Sequence, residues 1–172
     1  MRSDYQVGNG STVTKVISGG QTGVDQAALR AAIAQGIAMG GWCPPGRRTE
    51  DGTVPDTFLL RETPDDRSPV APSIPHSQRT EWNVRDSDGT LILFAGALES
   101  AGAGTRWTAQ CALRYGKPTF VADPADLSAV LPVRHWIEAH AISTLNVAGP
   151  RESSFPGIGT LAEKFVVSVL AP

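Results

Sequence analysis

The stretch VTKVISGGQTGVDQAALRAAIA, residues 13–34, decides the fold. Residues 13–17 form an apolar, partly β-branched run that predicts a strand; SGGQTG at 18–23 predicts a tight turn, and residues 22–34 a helix. Ala27, Ala28, Leu29, Ala31, Ala32 and Ile33 fall on the packing side of that helix, and the alanines let it lie close to a sheet. A glycine-rich turn opening a helix recurs twice: AGAGT, 101–105, follows the apolar run 91–94, and PGIGT, 156–160, comes shortly after 144–147. Each such turn aims unpaired backbone N–H groups and the positive end of a helix dipole at one spot, which is a way of holding an oxyanion. The three turns together predict one anionic site.

Outward from this stretch, short aliphatic runs alternate with helix-length segments. Residues 37–42 predict a second strand, weakened by Gly40 and Gly41. Residues 91–94 predict a central strand buried on both faces, and 105–115 its helix, closed by Gly116. Pro118 opens a strand running through residue 122, a helix at 126–140 is interrupted by Pro132, which sits in its first turns or splits it in two, and 144–147 and 159–170 give a last strand and helix. The alternation predicts an α/β fold of right-handed βαβ units, a Rossmann-like three-layer sandwich with a mainly parallel central sheet.

With 172 residues, 41% hydrophobic and 19% charged, the chain reads as one domain spanning 1–172. A formal charge of -2 and a pI near 5.9 give no field that would gather nucleic acid or an anionic membrane. No apolar run approaches the roughly 20 residues of a membrane span, and residues 1–10 lack a signal-peptide core, so a soluble cytoplasmic protein is expected. Cys43 and Cys111 are too few for a disulfide framework and lack neighbours at zinc-ligand spacing, which predicts free thiols and no zinc. His76, His135 and His140 are likewise spaced unlike metal ligands, so no metal site is expected.

Residues 43–89 change in composition. Seven of the thirteen prolines and Arg47, Arg48, Arg61, Arg67 and Arg79 lie there, while Phe58, Leu59, Leu60, Ile74 and Trp82 supply apolar anchors. This predicts a packed Pro/Arg-rich insertion, acting as an arm over the site or a subunit contact.

SGGQTGVD lacks the full GxGxxG spacing and a ribose-binding acid about 20 residues on, so NAD is not expected. It lacks the Lys-Ser or Lys-Thr pair of a P-loop as well. The candidate ligand contacts in this first turn are Gly19, Gly20, Gln21, Thr22 and Gly23, while Asp25 suits a structural or hydroxyl contact because its charge opposes phosphate. The second turn offers Gly104, Thr105 and Arg106, with Trp107 beside them as the one tryptophan placed for ring stacking. The third region offers Arg151, Ser153, Ser154, Gly157, Gly159 and Thr160, with Arg47 and Arg48 as further guanidinium partners.

SGGQTGVDQAAL, GWCPPGRRTEDG, RTEWNVRDSDGTLIL, GTRWTAQCA and NVAGPRESSFPGIG together resemble the molybdenum-cofactor carrier family, over about residues 13–170. That family is a circularly permuted YpsA-like branch of the SLOG superfamily of Rossmann-like folds, which includes the lysine-decarboxylase-like LOG phosphoribohydrolases. The resemblance implies a non-enzymatic carrier or storage protein for the molybdenum cofactor, a pterin bearing a phosphate and an oxo-molybdenum dithiolene. It implies molybdoenzymes or cofactor-biosynthesis proteins as partners, and a homo-oligomer, dimer or tetramer, is the expected assembly. The alternative it implies is a LOG-like hydrolase of nucleoside monophosphates. PGIGTLAE keeps the spacing of the LOG pattern PGGxGTxxE up to Glu163 but lacks one glycine, which favours binding over catalysis; in a hydrolase Glu163 or Glu81 would orient water or the ribose. A third reading is a sensor of a nucleotide-derived ligand, whose insertion moves on binding.

Overall fold

The structure is a computed structural model and describes residues 12–172; the reading of residues 1–10 falls outside them. Five parallel strands form the central sheet: β1 (Lys15–Ile17), β2 (Ala38–Gly40), β7 (Gly89–Leu93), β8 (Thr119–Ala122) and β9 (Thr144–Ala148), in the spatial order β2-β1-β9-β7-β8. Between β2 and β7 lie four short strands, β3 (Trp42–Cys43), β4 (Arg48–Thr49), β5 (Gly52–Thr53) and β6 (Arg61–Glu62), paired as β3 with β6 and β4 with β5 outside the central sheet. The helices are α1 (Val24–Ala34), α2 (Ser77–Arg85), α3 (Ala103–Arg114), α4 (Val130–Ala139) and α5 (Ile158–Leu170).

Strand alternation divides the core. Leu91 and Leu93 on β7 and Leu145 and Val147 on β9 face α1, α4 and α5, joining Ala27, Ala31 and the fully buried Phe165. Ile92 points to the opposite face, where it packs with Phe94 and Ala101. On that face α2 and α3 clasp Val84, Trp107, Cys111 and Ala112. The result is the Rossmann-like three-layer sandwich the alternation predicts, with β7 buried along its whole length.

Several local readings need correction. Ile33 is half exposed and Leu29 packs with Cys43, Val54, Phe58 and Leu60 under the insertion rather than with the sheet core. The strand expected at 37–42 is broken at Gly41, whose φ of 124° and approach to Ser18 leave no room for a side chain. The helix expected at 126–140 is a 3-10 turn, Leu127–Ala129, leading into α4, with Pro132 in the first turn, where its missing N–H is not needed. The insertion also carries the helix α2, half of one outer layer, which the proline-rich composition hid. Phe58 and Leu60 anchor it as expected, but Leu59 is exposed.

Cys43 and Cys111 are buried and free, and burial pushes the Cys111 thiol up to about 12. His135 and His140 lie on the surface. Among the described residues no helix is long and apolar enough to cross a membrane.

Candidate functional site

β1, β9 and β7 are neighbours whose following segments all emerge at the C-terminal edge of the sheet, where open α/β sheets form their ligand crevice. A cavity of about 300 Å3 lies there, between the turn after β1, the N-terminus of α3, the segment after β9, and α2. Gly19, Gln21, Gly104, Thr105, Arg151 and Ser154 of the sequence-derived candidates line it. Thr22, Gly23, Ser153, Gly159 and Thr160 instead line a neighbouring cleft with Glu50 and Glu152. Gly20, Arg47, Arg48, Arg106 and Gly157 line neither.

The three glycine turns are not equivalent. The turn after β1 spends three of its donors within the protein: Gln21 N–H donates to Asp25 Oδ2 (3.2 Å), Thr22 N–H to Gln21 Oε1 (3.0 Å) and Val24 N–H to Pro150 O (3.2 Å). Its glycines are close-packed too, since a Cβ at Gly23 would lie 2.5 Å from Pro150 O and one at Gly20 2.7 Å from Leu60 Cδ1. At α5, the Glu152 carboxylate accepts from Gly157 N–H (2.5 Å) and Gly159 N–H (3.0 Å), so the protein supplies its own anion to that helix start. Glu50 fills the space between these two turns, accepting from the hydroxyls of Thr22 and Ser153 and from Ser153 N–H (3.1 Å).

The start of α3 is different. Its first backbone bond runs from Arg106 N–H to Gly102 O (3.1 Å), so the N–H groups of residues 103–105 have no helical acceptor. A Cβ at Gly102 or Gly104 would meet open space. The buried Thr105 lines the cavity, and its hydroxyl has no partner among the described residues. Opposite, Asn146 donates to Thr90 Oγ1 (3.2 Å) and Asn83 is committed to both backbone groups of Trp42 (2.8 and 2.9 Å). Phe155, held edge-on to Phe94 at 5.7 Å, and Ile74 with Pro75 give the cavity apolar walls.

Five candidates of the sequence reading have other occupations. Arg47 directs its guanidinium at the carbonyls of Leu60, Pro55 and Phe58 (3.1, 3.2 and 3.0 Å), stapling the insertion instead of meeting a ligand. Arg106 is exposed, donating to Glu99 O, because the helix turns it away from the cavity. Glu163 pairs with Arg30 (2.7 Å) on the surface, and Glu81 bonds Tyr115 Oη (2.8 Å) and the Ser68 hydroxyl. Trp107 is not a stacking platform: it is buried, and its indole N–H donates to Ser77 O (3.1 Å), tying α3 to α2.

Arg79 is the cation among the cavity residues that sequence reading missed. It sits on α2 with Nη1 2.8 Å from Gly19 O and 3.4 Å from Asp25 Oδ2. Its signal was the spacing of Arg79 and Asn83, four apart and so on one helical face, once a helix is placed in the insertion. Burial pushes the Asp25 carboxyl above its ordinary value, against the pull of Arg79 and the Gln21 N–H.

The model of the "Circularly permutated YpsA SLOG family" matches residues 16–170. A crystal structure titled "Putative molybdenum carrier protein", from Syntrophus aciditrophicus SB, matches with a TM-score of 0.83 at 40% identity, covering 94% of this chain and 97% of that one. A search of curated proteins gave no match. The chain belongs to the circularly permutated YpsA SLOG family.

Proposed function

We propose that this protein binds a phosphate-bearing small molecule in the cavity at the strand ends, and that it carries the molybdenum cofactor. The observation that carries the reading is the open first turn of α3, where three backbone N–H groups and the Thr105 hydroxyl face the cavity without protein acceptors. At the other two turns the carboxylates of Asp25 and Glu152 already accept from backbone N–H groups, which supports placing the oxyanion at α3. Arg151 at the rim adds positive charge, while Asn146 and Thr108 offer polar edges and Phe155 an apolar wall. A pterin with one terminal phosphate suits that division. The printed description of the 40% identical crystal structure supports the same cargo.

Binding is favoured over turnover because Glu163 and Glu81, the residues a LOG-like hydrolysis of nucleoside monophosphates would use, lie outside the cavity. A carrier of this kind would meet molybdoenzymes or cofactor-biosynthesis proteins, and a homo-oligomer is the assembly we propose for it. Native mass spectrometry with metal analysis of protein freshly isolated from a cofactor-competent host, followed by denaturing identification of the released molecule, tests the reading. A pterin phosphate with molybdenum is expected; a nucleotide, or a base with ribose phosphate, would overturn it in favour of the hydrolase.

A further inference from the structure

A cation, Arg79, lines the same cavity. Arg79 crosses from α2 to the turn after β1, and Gly19 is what admits it: a Cβ there would stand 2.3 Å from Arg79 Nη1. Nη1 is fixed by Gly19 O (2.8 Å) and Asp25 Oδ2 (3.4 Å), while Nε and Nη2 have no partner among the described residues. Both side chains are well shielded, 13% and 9% exposed, and both line the cavity.

We propose that Arg79 is a ligand-binding guanidinium of this cavity, that Asp25 is its positioning residue, and that an anion arriving at Arg79 brings a proton onto Asp25. The inference rests on the oxyanion reading above. A buried carboxylate is tolerated when a paired cation compensates its lost hydration. An incoming oxyanion draws on the same guanidinium and adds a second negative charge nearby, so the carboxylate loses support and takes a proton. Among the described residues, Arg79 is the cation paired with Asp25. The other charged groups around the cavity are engaged elsewhere: His76 on the α2 side pairs with Asp66 (2.5 Å), and Arg151 after β9 faces Glu50 (3.9 Å). Burial already holds the Asp25 carboxyl above its ordinary value.

The sign follows from linkage. If the anion raises the proton affinity of Asp25, anion affinity is greatest below both the free and the bound pKa. It falls as pH rises through them, by at most about tenfold per pH unit for one proton.

Sulfate is a suitable probe because its own charge is constant across the range, and its binding to the intact protein is measured by calorimetry from about pH 5 to about pH 8. Repeating the titration in two buffers of different ionisation enthalpy counts the protons taken up. The wild type is expected to tighten severalfold toward low pH with net proton uptake. Asp25→Asn should lose that uptake and bind with a flatter pH profile, and Arg79→Met should weaken binding at least about tenfold, with part recovered in Arg79→Lys. Wild-type binding without proton uptake overturns the proposal whether or not Asp25→Asn folds. An unchanged slope in Asp25→Asn overturns it also, as does unchanged affinity in Arg79→Met. An absence of sulfate binding at every pH would instead overturn the oxyanion site, and this inference with it.

Discussion

Gly20 and Gly104 look alike in a string of letters and behave oppositely in the fold. Gly20 has a φ of 79°, and a Cβ there would stand 2.7 Å from Leu60 and 2.8 Å from Val54. Gly20→Val is therefore expected to destabilise the protein by about 2 kcal/mol or more, seen as a lowered melting temperature. Gly104 sits in the first turn of α3 with open space around it. Gly104→Ala is expected to raise stability by about 0.5–1 kcal/mol while placing a methyl group at the cavity, so melting and ligand affinity should move in opposite directions. The arginines divide in a similar way. Arg151→Ala should weaken sulfate binding, whereas Arg106→Ala should leave it within about twofold, because Arg106 is exposed away from the cavity. Equal losses in both variants would place the anion on the outer side of α3. Motif spacing identified the positions where glycine matters; only the neighbours show whether each glycine makes room for a ligand or for Arg79, Leu60 and Pro150.

At the scale of elements, the continuous aliphatic run of β7 was legible, since it carries its burial in its own sequence. The helix α2 was not, because its sequence SQRTEWNVR is mostly polar and is held by packing on α3 and by Asn83 bonding to Trp42, contacts distant along the chain. The positions of the helix starts were legible, but not which of them the protein caps with its own carboxylates. Glu152→Ala should cost about 1 kcal/mol by leaving two N–H groups at the start of α5 without their acceptor, measurable by chemical denaturation. Glu50 gives the β4–β5 hairpin a pH dependence. Burial opposes its charge, but hydrogen bonds from Ser153 and Thr22 outweigh burial and hold its carboxyl below the ordinary 4.5. The stabilisation is thus present above that ordinary value and is lost as pH falls through the folded-state pKa. Hydrogen exchange at residues 48–53 and at Ser153 is expected to gain least protection in acid, and Glu50→Gln should reproduce part of that loss at neutral pH.

For the molecule as a whole, the insertion is a structural component as well as a wall of the cavity. α2 covers the face of α3 that holds Trp107, Cys111 and Ala112, and Leu29 of α1 is buried against Val54, Phe58 and Leu60. Deleting the expected insertion, residues 43–89, would uncover both surfaces; the shortened chain is expected to lose its cooperative thermal transition, read by circular dichroism. A sharp transition in that variant would show that the remaining elements form an independent core. Strand order was the least legible property at this scale, because the chain leaves β2 at one edge, passes to β7 beyond the centre and returns to β9 last. Both sulfur nucleophiles are sealed into the layers built around this sheet, Cys43 under the insertion and Cys111 between α2 and α3. A colorimetric disulfide reagent added to the native protein therefore has nothing to react with until one of those layers parts, which makes its reaction rate a clock for breathing of the insertion.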